Sequence, residues 1–195
     1  MLVKDSVLGV NHFAIVKNEL ISGAMPWFYV DHTAIKAEGT LNNFSFNNTM
    51  FDVDIPGCNN MTPLVTLCYT ALCASLDTMG YQLKELLRIR ANLYTRNHEA
   101  MIHHPHVDDT RPYNVGILYV TTNNNSPTLL YKERYDHKTD TNTIETINNR
   151  KFTIEHVVDS IENRFVMFNG DVFHSSTRPT CEDVRININY NFTLI

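Results

Sequence analysis

The sequence predicts an α+β fold: a jelly roll (double-stranded β-helix) with helices packed on the outer face of its major sheet. Three observations lead there. Thr62 to Met79 carries apolar residues at helical spacing, and much of the chain beyond Leu86 alternates with period two. Asn-, Asp- and Gly-containing turns separate the alternating runs. Strand after strand behind one or two helices is accommodated by a closed sandwich or barrel whose helices cover one outer face.

The first third reads as mixed. An apolar run spans His12 to Val16, followed by Pro26-Trp27-Phe28-Tyr29-Val30, then Phe44-Ser45-Phe46 and Met50-Phe51. Thr62 to Met79 is the long helix. Pro63 is tolerated in its first turn, Leu64, Leu67, Cys68, Ala71, Leu72, Ser75, Leu76 and Met79 recur along one side, and Gly80 can close it. The period then changes, with Arg88, Arg90, Asn92 and Tyr94 alternating with Ile89, Ala91 and Leu93. Asn114 to Val120, Thr128 to Tyr131, Arg164 to Phe168 and Val184 to Leu194 follow as strands. No linker or repeat divides the chain. Residues 1–195 therefore read as a single domain, with N-terminal strands and a supporting helix over 1–85 and a jelly-roll core over 86–195.

Composition narrows the function. With 195 residues, 43% hydrophobic and 19% charged, the chain can bury a core, and disorder is not expected. A net charge of −5 without a Lys/Arg-rich block argues against a general nucleic-acid binder. The apolar-leaning run Pro63 to Met79 is broken by Thr66, Thr70, Ser75 and Asp77, so no membrane span is expected. The N-terminus lacks the apolar stretch of a secretion signal, which points to the cytoplasm. Cys58, Cys68, Cys73 and Cys181 form no CxxC and no tetrahedral zinc spacing, and free thiols suit that compartment.

Several motifs drop out. His98-Glu99-Ala100-Met101-Ile102-His103 has one residue too many for HExxH, and positions i and i+5 of a helix face different directions. There is no GxGxxG, P-loop or GxSxG. His12, His32, His137 and His156 have no partner at ligand spacing and read as ordinary surface or core histidines. What remains is His106 and Asp108, two apart in an extended segment and so projecting to one side, with His174 far downstream. Two imidazoles and one carboxylate make the facial triad of non-haem Fe(II) oxygenases, which leaves coordination positions open. His104 is a competing ligand that would strand Asp108. A dicarboxylate co-substrate needs a cation, and Arg185 at the start of the last strand offers one that stays charged when buried. Arg178, before Pro179 in a loop, is the alternative.

From about Leu86 onward the chain resembles the prolyl-4-hydroxylase-like branch of the 2-oxoglutarate/Fe(II) oxygenases, especially its short phage-encoded members. The resemblance rests on Ala91-Asn-Leu-Tyr94, His106-Val-Asp108, Gly116-Ile-Leu-Tyr119-Val, Asn163-Arg-Phe-Val-Met-Phe168, His174-Ser-Ser and Val184-Arg-Ile-Asn-Ile-Asn-Tyr-Asn-Phe192. Pro26-Trp27-Phe28-Tyr29 also looks like the start of the phage forms. By position it implies that His106, Asp108 and His174 hold Fe(II) and act as the catalytic centre. It further implies that Arg185, helped by the Tyr119 hydroxyl, binds the distal carboxylate of 2-oxoglutarate, with Tyr94 nearby. By alternation Asn92 shares that face as a co-substrate contact, and Arg90 as a pocket residue open to substrate.

The chain departs from the family in two places. Ser126-Pro127 replaces a glycine pair, and Asn191 stands where nucleic-acid demethylases carry a second arginine. The implied reaction uses Fe(II), 2-oxoglutarate and dioxygen to hydroxylate an unactivated C–H bond, with peptidyl proline the favoured substrate. The alternatives are a free amino acid or other small molecule, or a non-catalytic jelly-roll binding module, with a demethylase less favoured. The partners expected are a peptide or small-molecule substrate, with neither nucleic acid nor membrane, in the cytoplasm (of the host, for a phage-encoded protein).

Overall fold

The computed structural model describes residues 1–34, 43–141 and 143–195. In chain order the elements are β1 (Leu2–Lys4), α1 (Val10–Ile21), β2 (Phe28–Val30), β3 (Ser45–Asp52), α2 (Pro63–Met79), β4 (Leu83–Thr95), β5 (Asn114–Tyr119) and β6 (Asn123–Arg134). They continue with α3 (Ile144–Asn148), β7 (Ile154–Ser160), β8 (Phe165–Asn169), β9 (Val172–Ser176) and β10 (Val184–Leu194). A major sheet runs β1-β8-β5-β10-β4-β3-β2 and a minor sheet β7-β6-β9. All the strand pairs in both are antiparallel. This is the predicted α+β jelly roll.

The α2 helix begins and ends where its sequence says. Thr62 accepts a hydrogen bond from the Val65 amide at 3.2 Å, Pro63 fills the first turn, and Gly80 closes the helix at φ 79°, a conformation that favours glycine. Its buried residues Val65, Cys68, Ala71, Leu72 and Leu76 share a core with Ile89, Ala91, Ile186, Ile188, Tyr190 and Phe192 of β4 and β10. The Tyr190 hydroxyl donates to the Cys68 carbonyl at 3.0 Å and fixes the helix against the sheet. Between the two sheets a second cluster joins Val115, Ile117 and Tyr119 of β5 to Val166 and Phe168 of β8 and to Leu130 and Val158 of the minor sheet.

Five elements differ from the sequence reading; the short β1 and α3 carry too few residues for any period to show. The run from His12 to Val16 belongs to a helix, α1, which buries Phe13, Val16 and Leu20. Only these three apolar positions carry the helical period, too few to stand out from a mixed region. The β7 strand is largely exposed, and its apolar residues Ile154, Val157 and Val158 do not alternate along it. In β9, Val172, Phe173, His174 and Ser175 are all buried, so no alternation marks it. The four cysteines are free thiols. Among the described residues no helix is long and apolar enough to cross a membrane.

Candidate active site

The inward faces of β4, β10 and β3 are polar. Alternation turns Arg88, Arg90, Asn92 and Tyr94 to the side opposite α2, and register sets Asn191, Asn189, Asn187 and Arg185 across from them in that order. All of these except Asn191 line a cavity of about 390 Å³, and His106, Asp108 and His174 line it too.

Two reciprocal backbone bonds bring the triad together. The His106 amide donates to the His174 carbonyl and the His174 amide to the His106 carbonyl, each at 3.0 Å, so the segment carrying His106 docks along β9. The His106 and His174 ring centroids are then 4.4 Å apart. Each Nδ1 lies beside a backbone carbonyl, that of His104 at 3.1 Å and that of Val172 at 3.2 Å. Nδ1–H donates there, which leaves the Nε2 lone pairs for a ligand. Each Nε2 is 3.8 Å from a different oxygen of Asp108, and one ligand atom from each of the three residues lies within 4.8 Å of the others.

The donor set fits a ferrous ion. Two ligands held about 2.1 Å from one ion can stand at most ~4.2 Å apart, and the 3.8 Å separations fall inside that span. Burial, reinforced by the nearby His174, pushes the His106 pKa down to about 3, so the imidazole is in its neutral, ligating form. Burial would raise Asp108, but Arg88, His174, His106 and an Asn189 hydrogen bond outweigh it, and the carboxyl lies well below the usual range.

Three partners aim Asp108. Arg88 Nη2 lies 2.9 Å from Oδ1, and Asn189 Nδ2 donates to Oδ2 at 3.0 Å. The Tyr113 hydroxyl accepts from the Asp108 and Asp109 amides at 2.8 and 3.2 Å. Arg88 also donates to Asn191 Oδ1 at 3.3 Å. The position singled out as lacking a second arginine is thus faced across the β4–β10 ladder by one.

Arg185 is fully buried. Its Nη2 donates to Thr128 Oγ1 at 2.7 Å and its Nη1 to the Thr177 carbonyl at 3.2 Å, while Nε has no partner among the described residues. The guanidinium lies 5.3 Å from the Tyr94 ring and 5.7 Å from the Tyr119 ring. No carboxylate of the described residues stands within 4.0 Å of it. A buried guanidinium without a counter-charge is costly, and a carboxylate ligand would relieve it.

The other sequence candidates fall into place around this centre. Tyr94 and Asn92 line the cavity, as does Arg90. Asn92 donates to Asn187 at 3.1 Å. Tyr119 stands behind the wall and donates its hydroxyl to Thr128 Oγ1 at 2.7 Å, so Thr128 is the hydroxyl facing the cavity. His104 lies outside the ligand cluster. Arg178 turns to Thr95, donating from Nε to its carbonyl at 3.1 Å and from Nη2 to its hydroxyl at 2.6 Å. His32 sits at the cavity wall beside Asp31. Sequence reasoning missed Arg88, Asn189, Thr128 and Tyr113. Alternation with Arg90 and Arg185 was the available signal for the first two.

No family model and no curated protein matches this chain. Solved structures do. A prolyl hydroxylase from Trichoplax adhaerens, in complex with a peptide fragment of the hypoxia-inducible factor oxygen degradation domain, is 13% identical with TM-score 0.59 over 98% of this chain and 82% of that one. An oxidoreductase of the 2OG-Fe(II) oxygenase family from Burkholderia pseudomallei is 10% identical with TM-score 0.64 over 98% and 84%. HygX from Streptomyces hygroscopicus, with nickel and 2-oxoglutarate bound, is 14% identical with TM-score 0.58 over 98% and 82%. At such identities the likeness is one of fold.

Proposed function

We propose that this protein is a 2-oxoglutarate- and Fe(II)-dependent dioxygenase that hydroxylates an unactivated C–H bond. The observation that carries the reading is the convergence of His106, Asp108 and His174 in one cavity with a buried, uncompensated Arg185. His106, Asp108 and His174 would hold the metal, which when bound would couple decarboxylation of the keto-acid by dioxygen to oxidation of the substrate.

The chain's own residues bind and orient. Arg185 and Thr128 take the distal carboxylate of 2-oxoglutarate, with Tyr119 holding the Thr128 hydroxyl in position and Tyr94 covering the guanidinium. Asn92 and Asn187 supply amide groups along the floor between that anchor and the triad. Arg88 and Asn189 hold the Asp108 oxygens, so the carboxylate meets the cavity in one orientation. Residues 1–195 act as one such domain, of the compact phage-encoded type and cytoplasmic.

The favoured substrate is a peptidyl proline, a reading supported by the Trichoplax enzyme, whose structure holds a peptide. A free amino acid or other small molecule is the second reading, favoured by a cavity rich in amide and guanidinium groups.

Anaerobic addition of Fe(II) and then 2-oxoglutarate should raise the weak visible charge-transfer band of a chelated keto-acid. A binding-only jelly roll would show none. His174→Ala should abolish iron-dependent succinate release. Arg185→Ala should raise the 2-oxoglutarate requirement at least about tenfold while metal binding persists, since a charge-assisted hydrogen bond is worth about 1.5–3 kcal/mol. Full turnover in the first variant, or an unchanged requirement in the second, would overturn the assignment.

A further inference from the structure

The cavity is more cationic than its metal and co-substrate require. Arg88, Arg90 and Arg185 all line it, against the single carboxylate of Asp108. Arg88 is committed to Asp108 at 2.9 Å. A divalent ion and a doubly charged keto-acid would cancel each other, so the surplus positive charge stays. Arg90 is the part of it with no task.

Its surroundings are those of a binding group without its ligand. Nε donates to Thr49 Oγ1 at 3.1 Å, the terminal nitrogens have no hydrogen-bond partner among the described residues, and no described carboxylate lies within 4.0 Å. Burial and then the neighbouring Arg88 both work against its charge and lower its pKa. Across the ladder sits Asn189, which gives its amide nitrogen to Asp108 and leaves a buried carbonyl oxygen unpartnered. Arg90 and this acceptor stand together beside the triad.

The co-substrate anchor is elsewhere. Arg185 pairs with Tyr94, four residues along β4 from Arg90 on the same face. At about 3.3 Å per residue, that is ~13 Å of strand. The bonded pair Asn92 and Asn187 lies between the two cations. The floor thus offers two anion positions, with the triad's carboxylate held next to the second.

We propose that Arg90 anchors a carboxylate of the substrate being oxidised, at a second anion site separate from the one at Arg185. The inference rests on the oxygenase reading above. A free guanidinium edge matches a carboxylate bidentately, and holding that group beside Asp108 brings the neighbouring carbons of the substrate to the triad. The carboxylate can belong to a free amino acid or to the C-terminus of a peptide.

The test is calorimetric titration of the protein loaded with Mn(II) and N-oxalylglycine, which fill the metal and keto-acid positions without turnover. The probes are the free L-amino acids, a peptide ending in proline, and the carboxamides of each. At least one carboxylate probe is expected to bind, and its carboxamide to bind about tenfold more weakly. Arg90→Gln should cause a similar loss, with Arg90→Lys intermediate and N-oxalylglycine affinity within about twofold of wild type. Unchanged Mn(II) affinity establishes that the variants are folded. Whether the free acid or the peptide binds identifies the source of the group. If no carboxylate binds better than its carboxamide, or if Arg90→Gln weakens N-oxalylglycine instead, the second site is refuted. If wild type takes up neither Mn(II) nor N-oxalylglycine, the oxygenase reading has failed, and the proposal falls with it.

Discussion

The two faces of the β4–β10 ladder share a backbone and almost nothing else. Toward α2 the residues are Ile89, Ala91, Ile186, Ile188, Tyr190 and Phe192, all buried in one apolar core. Toward the cavity they are Arg88, Arg90, Asn92, Tyr94, Arg185, Asn187 and Asn189, with Asn191 beyond them across from Arg88. Apolar burial contributes about 25 cal/mol per Å², whereas a buried hydrogen bond nets only about 0.5–1.5 kcal/mol and a buried polar group left without a partner costs about 1–3 kcal/mol. The outer face therefore holds the strands in place, and the inner face can carry groups that are poor for stability. Unpartnered atoms on Arg88, Arg185 and Asn189 belong to the inner face alone.

The sharpest way to break this contrast is Arg88→Met. If the inner face were merely inert, the substitution would be mild. Because it strips the guanidinium from a buried carboxylate, it should destabilise the protein by about 3–5 kcal/mol in urea unfolding. Arg88→Met combined with Asp108→Asn should recover much of that loss, since the pair is then replaced rather than broken. A single variant as stable as wild type would mean that Asp108 does not depend on Arg88.

A smaller effect is expected where the apolar region between the sheets touches the site. A Cβ at Gly170 would lie 2.2 Å from Tyr113 Cε1, and the Tyr113 hydroxyl holds the Asp108 and Asp109 amides. The ring is buried and cannot simply step aside. Gly170→Ala should cost about 1–3 kcal/mol and weaken metal binding along with it. Calorimetric titration with Mn(II) separates the two readouts. Lost stability with unchanged metal affinity would show that Tyr113 supports the fold without aiming Asp108.

How far the sequence reveals this site depends on what each residue's position follows from. The grouping of His106, Asp108, His174 and Arg185 around one cavity is legible because residue type, local spacing and strand order suffice to bring them to one end of a jelly roll. Alternation also put Arg88, Arg90, Asn92 and Tyr94 on a common face, and the ladder keeps them there. What alternation does not carry is register. The contact of Arg88 with Asp108 needs the β4–β10 pairing and the docking of the His106 segment on β9, both of them long-range. Tyr119 shows the same limit from another side: its hydroxyl donates to Thr128, whose short side chain carries no such signal in the sequence, and Tyr119 itself does not line the cavity. His103 belongs in the sequence only to the rejected HExxH-like stretch, yet it is buried against Tyr94.

That histidine offers the gentlest probe of the two faces, because at neutral pH its loss should change little. His103 lies beside Ser176, its Nδ1 2.7 Å from the hydroxyl, and its Nε2 is buried without a partner. Burial first, then the nearby Arg185, His106 and Arg178, pushes its pKa down to about 3 from an ordinary 6.5. Between those two values the unfolded chain binds a proton that the folded chain refuses, so stability must fall as the pH drops from about 6.5 toward 3. His103→Gln keeps a hydrogen-bonding side chain for Ser176 and removes that proton uptake. Melting curves at pH 7 and pH 4 should therefore show a smaller acid-induced drop in Tm for the variant than for wild type, with the two nearly equal at pH 7. The outward core contains no such group, so a variant there, such as Ile188→Val, should lower both curves together. Equal acid sensitivity in wild type and His103→Gln would mean that this part of the inner face admits a proton, and water with it, as readily as the unfolded chain does.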